Sequence, residues 1–210
     1  MAERPPGDPA PGRLRVVFVC TGNRARSALA EAMLRSKTDG SEMEVASYGT
    51  ADLGAIGALP ETLIAGARHG VDLHAHRASP LTPGAVGDAD LVLGFEPFHV
   101  AAAVVDGGAS RARTFTIVEF AELLDDVPRS GHDDDPRRLI ALAHSRRRQS
   151  GLSAPSIGDP LGRPQRVFDA LADDIAGLLD RIVWNLLPRA RRAGDRAGRA
   201  DRVEPTQPGL

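Results

Sequence analysis

Cysteine and aromatic residues are scarce in this 210-residue sequence, and long apolar runs are absent. The single cysteine, Cys20, excludes an internal disulfide and a zinc site built from several cysteines. No apolar stretch approaches the roughly 18 residues of a membrane span, and the N-terminus has no apolar signal core. A formal net charge of -2 argues against nucleic acid as the main partner. We therefore expect a cytoplasmic protein that binds neither membranes nor nucleic acids.

Both ends of the chain lack apolar periodicity. Residues 1–13 and 188–210 are rich in Pro, Gly, Ala and Arg, a composition that predicts disorder. The C-terminal segment is basic, which is typical of a solvated tail and also of a tail that docks on an anionic surface. The intervening residues 14–187 suffice for a single domain.

Strands and helices alternate through most of this domain. Short β-branched and apolar runs predict strands, and amphipathic or helix-forming stretches follow them. The predicted strands cover 14–19, 43–47, 90–95 and 113–117, and the predicted helices cover 28–35, 60–69, 97–105, 118–124 and 164–187. The alternation indicates a doubly wound, three-layer α/β/α fold around a four-stranded parallel sheet.

The segment 125–157 interrupts this alternation. It is polar and has one predicted helix at 136–148, so we interpret it as a surface insertion. His132 and the three aspartates that follow it suggest a metal cluster. However, adjacent acidic residues point to different sides of the chain, and one histidine is a poor anchor. We therefore predict a solvated loop here and no metal site.

Cys20 occupies the place where open α/β sheets bind ligands. It ends the first predicted strand, and the loop after it leads into a helix N-terminus, where unpaired N–H groups and the helix dipole attract an anion. Gly22 and Asn23 tolerate the left-handed dihedrals of a tight loop. Arg26 offers a planar fork for two phosphate oxygens, and the same field favours a thiolate to which Ser27 can donate a hydrogen bond. The loop therefore combines a nucleophile with a cage for its target.

The whole residue pattern after Cys20, and not any single pair of residues, makes this motif specific. Arginine is common in the sequence, so a cysteine followed by an arginine six positions later is weak evidence. The full pattern Cys-x-Gly-Asn-x-x-Arg-Ser, between a strand and a helix, is strong evidence. The alternative is that Cys20 is only a small buried apolar residue, which leaves the anion-binding residues behind it without an explanation.

The loop resembles the signature loop of the low-molecular-weight protein tyrosine phosphatases. The resemblance extends to Ser-Tyr-Gly-Thr at 47–50, to the stretch 70–78, and to Asp159-Pro160 before a long C-terminal helix. It implies that the phosphate-binding loop consists of Cys20, Thr21, Gly22, Asn23, Arg24, Ala25, Arg26 and Ser27.

The resemblance also implies a buried polar network that holds the loop. Its members would be Asn23, Ser27, Ser47 and His76. Alternatively, Ser47 and His76 are ordinary polar residues with satisfied hydrogen bonds. Four other histidines lack such a match, and we predict surface positions for His69, His74, His99 and His144.

Asp159 matches the general acid of the family. A tyrosine leaving group has a conjugate acid with a pKa of about 10, so its departure at neutral pH benefits from a delivered proton. The dipeptide Asp-Pro is a weak motif, since it also initiates turns and recurs at 8–9 and 135–136. The position just before the closing helix favours Asp159, and the alternative is a turn without a catalytic role.

The implied reaction has two steps and needs neither a metal nor a cofactor. Cys20 attacks phosphorus while Arg26 clamps the phosphate, and Asp159 protonates the leaving oxygen. Asp159 then activates the water that hydrolyses the cysteinyl-phosphate intermediate. The implied substrate is a phosphorylated protein, with phosphotyrosine as the expected class, or a small phosphomonoester.

Four positions depart from the family pattern. Ala25 stands where many relatives have a second cysteine, so oxidised Cys20 would lack an internal rescue. Arg24 adds a cation at the rim of the expected pocket. Leu53 and Leu161 stand at pocket-wall positions where aromatic residues are usual, which weakens stacking on a substrate ring.

Two other functions fit the same loop. One is a single-cysteine arsenate reductase served by an external low-molecular-weight thiol, because the reductases that use a cysteine relay need further cysteines. The other is a non-catalytic module that binds phosphate or another oxyanion. The oligomeric state is not predicted.

Overall fold

Four parallel strands form the centre of the computed structural model, which describes residues 13–38, 43–127, 135–147 and 155–187. The strands are β1 (Leu14–Cys20), β2 (Met43–Gly49), β3 (Leu91–Gly94) and β4 (Thr114–Thr116). The helices are α1 (Arg26–Lys37), α2 (Pro60–Arg68), α3 (Pro97–Val105), α4 (Ile117–Asp125), α5 (Pro136–Arg146) and α6 (Gln165–Leu186). The strand order β2-β1-β3-β4 with helices on both faces confirms the predicted fold class.

Side chains of β1 alternate between two cores. Phe18 and Cys20 face the larger core, which α1, α4, α5 and α6 cover, whereas Val17 and Val19 face a smaller core with Ala103 of α3. Complete burial of one large apolar side chain contributes about 1.5–3 kcal/mol. The continuous apolar run of β1 is therefore explained by burial on both faces of a parallel sheet.

In the sequence of the closing helix α6, apolar residues three or four apart form a stripe that predicts burial of Ile175, Leu178 and Ile182. The helix buries a wider face than this stripe. Ile175 and Ile182 are buried as expected, but Leu178 is only half-buried, and the neighbouring Phe168 and Leu179 are buried instead. The reason is that α6 packs against α1, α2 and α4 at once. No helix within the described ranges is long and apolar enough to cross a membrane.

The segment 125–157 is only partly a surface insertion. Its helix α5 ends at Arg146, two residues before the predicted end, and buries Leu139, Ile140 and Ala143 in the larger core. The prediction missed this packing because the segment is polar on average while α5 is amphipathic. The rest of the segment is only partly described, and His132 with the next two aspartates lies outside the described residues, as do both predicted tails except Arg13.

The carboxyl ends of the strands lie along one edge of the sheet. Strand β2 runs two residues further than predicted because Tyr48 and Gly49 pair with the end of β1. A Cβ atom on Gly49 would lie 2.9 Å from the carbonyl oxygen of Thr21, so only glycine lets β2 approach the loop after Cys20 so closely. This edge carries the candidate site.

Candidate active site

The loop after β1 turns sharply into α1. Among the described non-glycine residues only Asn23 has a positive φ, of 50°, and Asn accepts this left-handed conformation at low cost. The backbone N–H of Ala51 donates to the carbonyl of Thr21 at 2.9 Å, which ties the loop to the segment after β2. Helix α1 begins at Arg26, so the loop faces a helix N-terminus as the sequence predicts.

The Cys20 sulfur receives hydrogen bonds from two sides. The backbone N–H of Asn23 donates to Sγ at 3.2 Å, and the hydroxyl of Ser27 lies 2.9 Å from it. Residue Cys20 is 2% exposed. Hydrogen bonds of this kind stabilise the thiolate, which is the reactive form of a cysteine.

The orientation of the Asn23 amide determines which way the hydrogen bonds run. Its Oδ1 accepts from the N–H of Ser79 at 2.9 Å, so its Nδ2 donates to Ser27 at 2.9 Å and to Ser47 at 2.7 Å. Because Ser27 Oγ accepts from Asn23, its own hydrogen is available to the Cys20 sulfur. The Ser47 hydroxyl in turn donates to the carboxylate of Glu31.

His76 binds the backbone of Asn23. Its Nε2 lies 2.7 Å from the carbonyl oxygen of Asn23 and therefore carries the proton. The structure thus brings Asn23, Ser27, Ser47 and His76 together. Glu31, which also pairs with Arg35 at 2.8 Å, completes this network and was missed from the sequence. An acidic residue in a helix-forming stretch gives no local signal for this role.

The guanidinium of Arg26 is buried and shared between two carboxylates. Nη1 lies 2.6 Å from Glu96, and Nη2 lies 2.6 Å from Asp159 and 3.3 Å from the hydroxyl of Thr21. A buried charge is tolerated only with such partners. The contact with Asp159 joins two residues 133 positions apart and brings the predicted acid to the loop.

His99 does not lie on the surface as predicted; it is fully buried beside the loop. Its Nδ1 accepts from the backbone N–H of Glu96 at 3.0 Å, and its Nε2 lies 3.0 Å from the hydroxyl oxygen of Thr21. Burial, reinforced by the positive charge of Arg26, lowers the pKa of His99 to about 4. The spacing of Glu96 and His99 around Pro97 is typical of a helix start, but it predicts neither the burial of His99 nor the contact of Glu96 with Arg26. Of the other histidines within the described ranges, only His74 is exposed, whereas His69 and His144 are half-buried.

A pocket of about 210 Å³ opens over the loop. Cys20, Thr21, Gly22, Arg24, Ala25, Arg26, Leu53, Leu59, Asp159 and Leu161 are among its lining residues. Leu53 and Leu161, the two predicted wall positions, are exposed and line the pocket. Arg24 Nε donates to the carbonyl of Gly57 at 2.8 Å, which anchors this cation at the pocket.

The arrangement provides the parts for transfer of a tetrahedral anion. Cys20 supplies a nucleophile, the loop and Arg26 supply anion-binding groups, and Asp159 supplies a carboxyl group within reach of Arg26. A larger cavity of about 720 Å³ lies behind the loop against Glu31, Ser47 and His76, but the nucleophile does not line it. The smaller pocket is therefore the candidate active site.

Comparison with known proteins points to one family. The family model "Low molecular weight phosphotyrosine protein phosphatase" matches residues 15–138. A probable low molecular weight protein-tyrosine-phosphatase, EpsP of Ralstonia nicotianae, is 40% identical over 78 residues, which are 37% of this chain and 52% of that protein. The chain therefore matches about half the length of this relative.

Two further relatives match over most of their length. The protein-arginine-phosphatase of Geobacillus stearothermophilus is 28% identical over 173 residues, covering 82% of this chain and 95% of the relative. The crystal structure of a low molecular weight protein tyrosine phosphatase from T. tengcongensis superposes with a TM-score of 0.63 and 28% identity, covering 82% of this chain and 99% of that one.

Proposed function

This chain belongs to the low molecular weight phosphotyrosine protein phosphatase family, and on that basis we propose that it hydrolyses phosphomonoesters on proteins, phosphotyrosine above all. The observation that carries the proposal is one pocket shared by the Cys20 sulfur, the buried Arg26 guanidinium and the Asp159 carboxylate. This combination supplies the nucleophile, the charge clamp and the acid that phosphoryl transfer without a metal requires.

In the first step the Cys20 thiolate attacks phosphorus. A sulfur–phosphorus bond forms and the bond from phosphorus to the substrate oxygen breaks, while loop N–H groups and Arg26 stabilise the equatorial oxygens. Asp159 gives its proton to the departing oxygen. The Ser27 hydroxyl and the Asn23 N–H stabilise the sulfur before attack.

In the second step a water molecule attacks the cysteinyl-phosphate. The ionised Asp159 takes a proton from this water, the sulfur–phosphorus bond breaks, and Cys20 leaves as a thiolate with inorganic phosphate as the product. The proton on Asp159 restores the acid for the next cycle. The steps therefore balance without any further reactant.

The contacts of Arg26 must rearrange when substrate binds. In the structure Nη2 pairs with Asp159, whereas the mechanism needs this edge of the guanidinium on the phosphate and Asp159 on the leaving oxygen. Glu96 on the other nitrogen keeps the guanidinium in place during this exchange. The phosphate thus replaces a carboxylate partner and leaves no buried charge unpaired.

The pocket walls favour an uncharged leaving group. Leu53, Leu59 and Leu161 offer apolar contacts to a phenyl ring, although without the stacking an aromatic wall provides. Phosphoarginine is the second candidate substrate, because the Geobacillus relative, which aligns over 95% of its length, is named a protein-arginine-phosphatase. The guanidinium of Arg24 at the same pocket repels a cationic leaving group, so we favour phosphotyrosine.

Turnover of p-nitrophenyl phosphate, a phosphotyrosine peptide and a phosphoarginine peptide tests the proposal. We expect release of phosphate without added metal, near-complete loss in Cys20→Ser, and a preference for the phosphotyrosine peptide. Arsenate-dependent consumption of an external thiol without phosphatase turnover would identify a reductase. Binding of phosphate or vanadate without turnover would identify a docking module.

A further inference from the structure

The hydrogen bonds around the Thr21 hydroxyl leave its proton directed away from the protein groups that contact it. The backbone N–H of Glu96 donates to Nδ1 of His99, so the neutral imidazole carries its only proton on Nε2. That proton is donated to Thr21 Oγ1 at 3.0 Å. The low pKa of His99, about 4, keeps its imidazole neutral near pH 7.

The same oxygen accepts a second hydrogen bond. Arg26 Nη2 lies 3.3 Å from Thr21 Oγ1, and guanidinium nitrogens only donate. Both lone pairs of the hydroxyl are then occupied, and its hydrogen has to find an acceptor elsewhere. No further partner of Thr21 Oγ1 is found among the residues that the structure describes.

Thr21 lines the pocket together with Cys20 and Asp159. We infer that Thr21 is a catalytic residue whose hydroxyl donates to a non-bridging oxygen of the bound phosphoryl group. This inference rests on the phosphatase function proposed above. His99 is the positioning residue that holds the Thr21 oxygen as an acceptor and so frees its hydrogen for the substrate.

Two substitutions of His99 distinguish the contribution of its hydrogen bond with Glu96 from that of its hydrogen bond with Thr21. In His99→Asn the side-chain oxygen takes the place of Nδ1 and can still accept from Glu96, but the donor to Thr21 is lost. In His99→Gln the amide nitrogen takes the place of Nε2 and can still donate to Thr21. We expect a decrease in kcat/KM of about 10-fold for His99→Asn and recovery of most of it in His99→Gln.

Thr21 itself is tested by removal and restoration of its hydroxyl. Thr21→Val keeps the shape and removes the donor, so we expect kcat/KM to fall about 10- to 100-fold, as for loss of a hydrogen bond to a charged group. Thr21→Ser keeps the hydroxyl and is expected to stay within a few-fold of wild type. Thermal midpoints of all variants show whether any loss reflects unfolding.

The double variant Thr21→Val/His99→Asn distinguishes positioning from a general structural role. If His99 acts through the Thr21 hydroxyl, His99→Asn has no further effect once that hydroxyl is absent. Equal losses for His99→Asn in both backgrounds would overturn the inference, because His99 would then act on α3 alone. Unchanged kcat/KM in Thr21→Val would overturn it as well.

Affinity for inorganic phosphate, measured by titration calorimetry, separates this inference from the proposed function. We expect Thr21→Val and His99→Asn to bind phosphate about 10-fold more weakly than wild type. If wild type binds phosphate but has no turnover, the proposed phosphatase function is refuted. The phosphate affinities of wild type and the two variants would still test the hydroxyl contact. Equal phosphate affinity in wild type and Thr21→Val would refute the hydroxyl contact even in an active enzyme.

Discussion

Two clusters of arginine and carboxylate lie at opposite edges of the sheet, one at the carboxyl ends of the strands and one at their amino ends. The two clusters differ in which member, the arginine or the carboxylate, is buried. At the carboxyl edge the Arg26 side chain is 2% exposed, whereas its partners Glu96 and Asp159 are 36% and 44% exposed. At the amino edge the Asp90 side chain is 3% exposed, whereas its partner Arg137 is 29% exposed. The buried member is a cation in the first cluster and an anion in the second.

This reversal distinguishes the candidate binding site from a structural link. A buried cation with partly exposed partners can exchange one of them for an incoming phosphate. Asp90 instead accepts from the backbone N–H of Arg15 at 2.8 Å and from Nε and Nη2 of Arg137 at 2.9 and 3.0 Å. Its acceptors are occupied by the protein itself, so this cluster fastens α5 to the start of β1 and β3.

Among substitutions in the two clusters, Asp159→Asn is expected to have the largest effect. Loss of the proton donor should lower kcat on a phosphotyrosine peptide by about 10²- to 10⁴-fold. The loss should be smaller on p-nitrophenyl phosphate, because its more acidic leaving group needs less protonation. Steady-state kinetics on both substrates check this, and an equal loss on both would contradict the role of Asp159 as a general acid.

Arg26→Lys removes the planar fork but keeps a positive charge. We expect kcat/KM to fall by about 10²- to 10³-fold, the usual cost of losing one preorganised group that stabilises transition-state charge. Arg137→Lys is the matched control at the other cluster and should leave kcat/KM within two-fold of wild type. A similar loss in both variants would show that the two clusters do not differ in function.

Arg137→Ala should affect stability and not catalysis. The buried Asp90 carboxylate would keep its bond from Arg15 but lose the fork, so we expect the free energy of unfolding to fall by about 1–3 kcal/mol. Urea unfolding measures this change, and kcat for the folded fraction should be unchanged. A fall in kcat without a change in stability would contradict the structural role of the amino-edge cluster.

The carboxyl-edge cluster should also make the fold sensitive to acid. The folded-state pKa of His99, about 4, lies below its ordinary value because of burial and Arg26, and the carboxylates of Glu96 and Asp159 oppose the shift only in part. As pH falls below about 6.5 the unfolded chain takes up a proton that the folded chain refuses, so stability is lost.

Between pH 7 and pH 5 this linkage amounts to about 2 kcal/mol. Urea unfolding of wild type and His99→Asn at both pH values isolates it, since all other titrating groups are common to the two proteins. We expect the pH-dependent loss to be smaller in His99→Asn by this amount. Parallel pH dependences would show that His99 accepts a proton in the folded state.

Local pattern accounts for what was predicted correctly. The strand from Leu14, the loop after Cys20 and the helix from Arg26 are contiguous, so apolar run, glycine and helix propensity act on neighbouring residues. The limits of α3 follow in the same way from Pro97 at its first turn. Asp159 was selected by the family resemblance and its place before the closing helix; the structure places it beside Arg26, and its role as the acid stays a prediction.

Long-range packing accounts for what was missed. His99 sits on a helix whose sequence gives no reason for burial, and only its contact with Thr21, 78 residues away, explains it. Glu96 and Glu31 likewise acquire their roles from Arg26 and Ser47. An ionisable residue on an ordinary helix has no local feature that predicts such partners.

The sequence by itself determined the alternation of strands and helices and the tight loop between Cys20 and the helix that follows, because each depends on residues close together in the chain. Only the tertiary structure decided which charged side chains are buried and which groups pair with them. It placed a neutral histidine and two carboxylates around Arg26 at one edge of the sheet and a buried Asp90 at the other. The burial and pairing of these charges depend on groups that the fold brings together from distant positions in the chain. A local sequence pattern therefore cannot predict them.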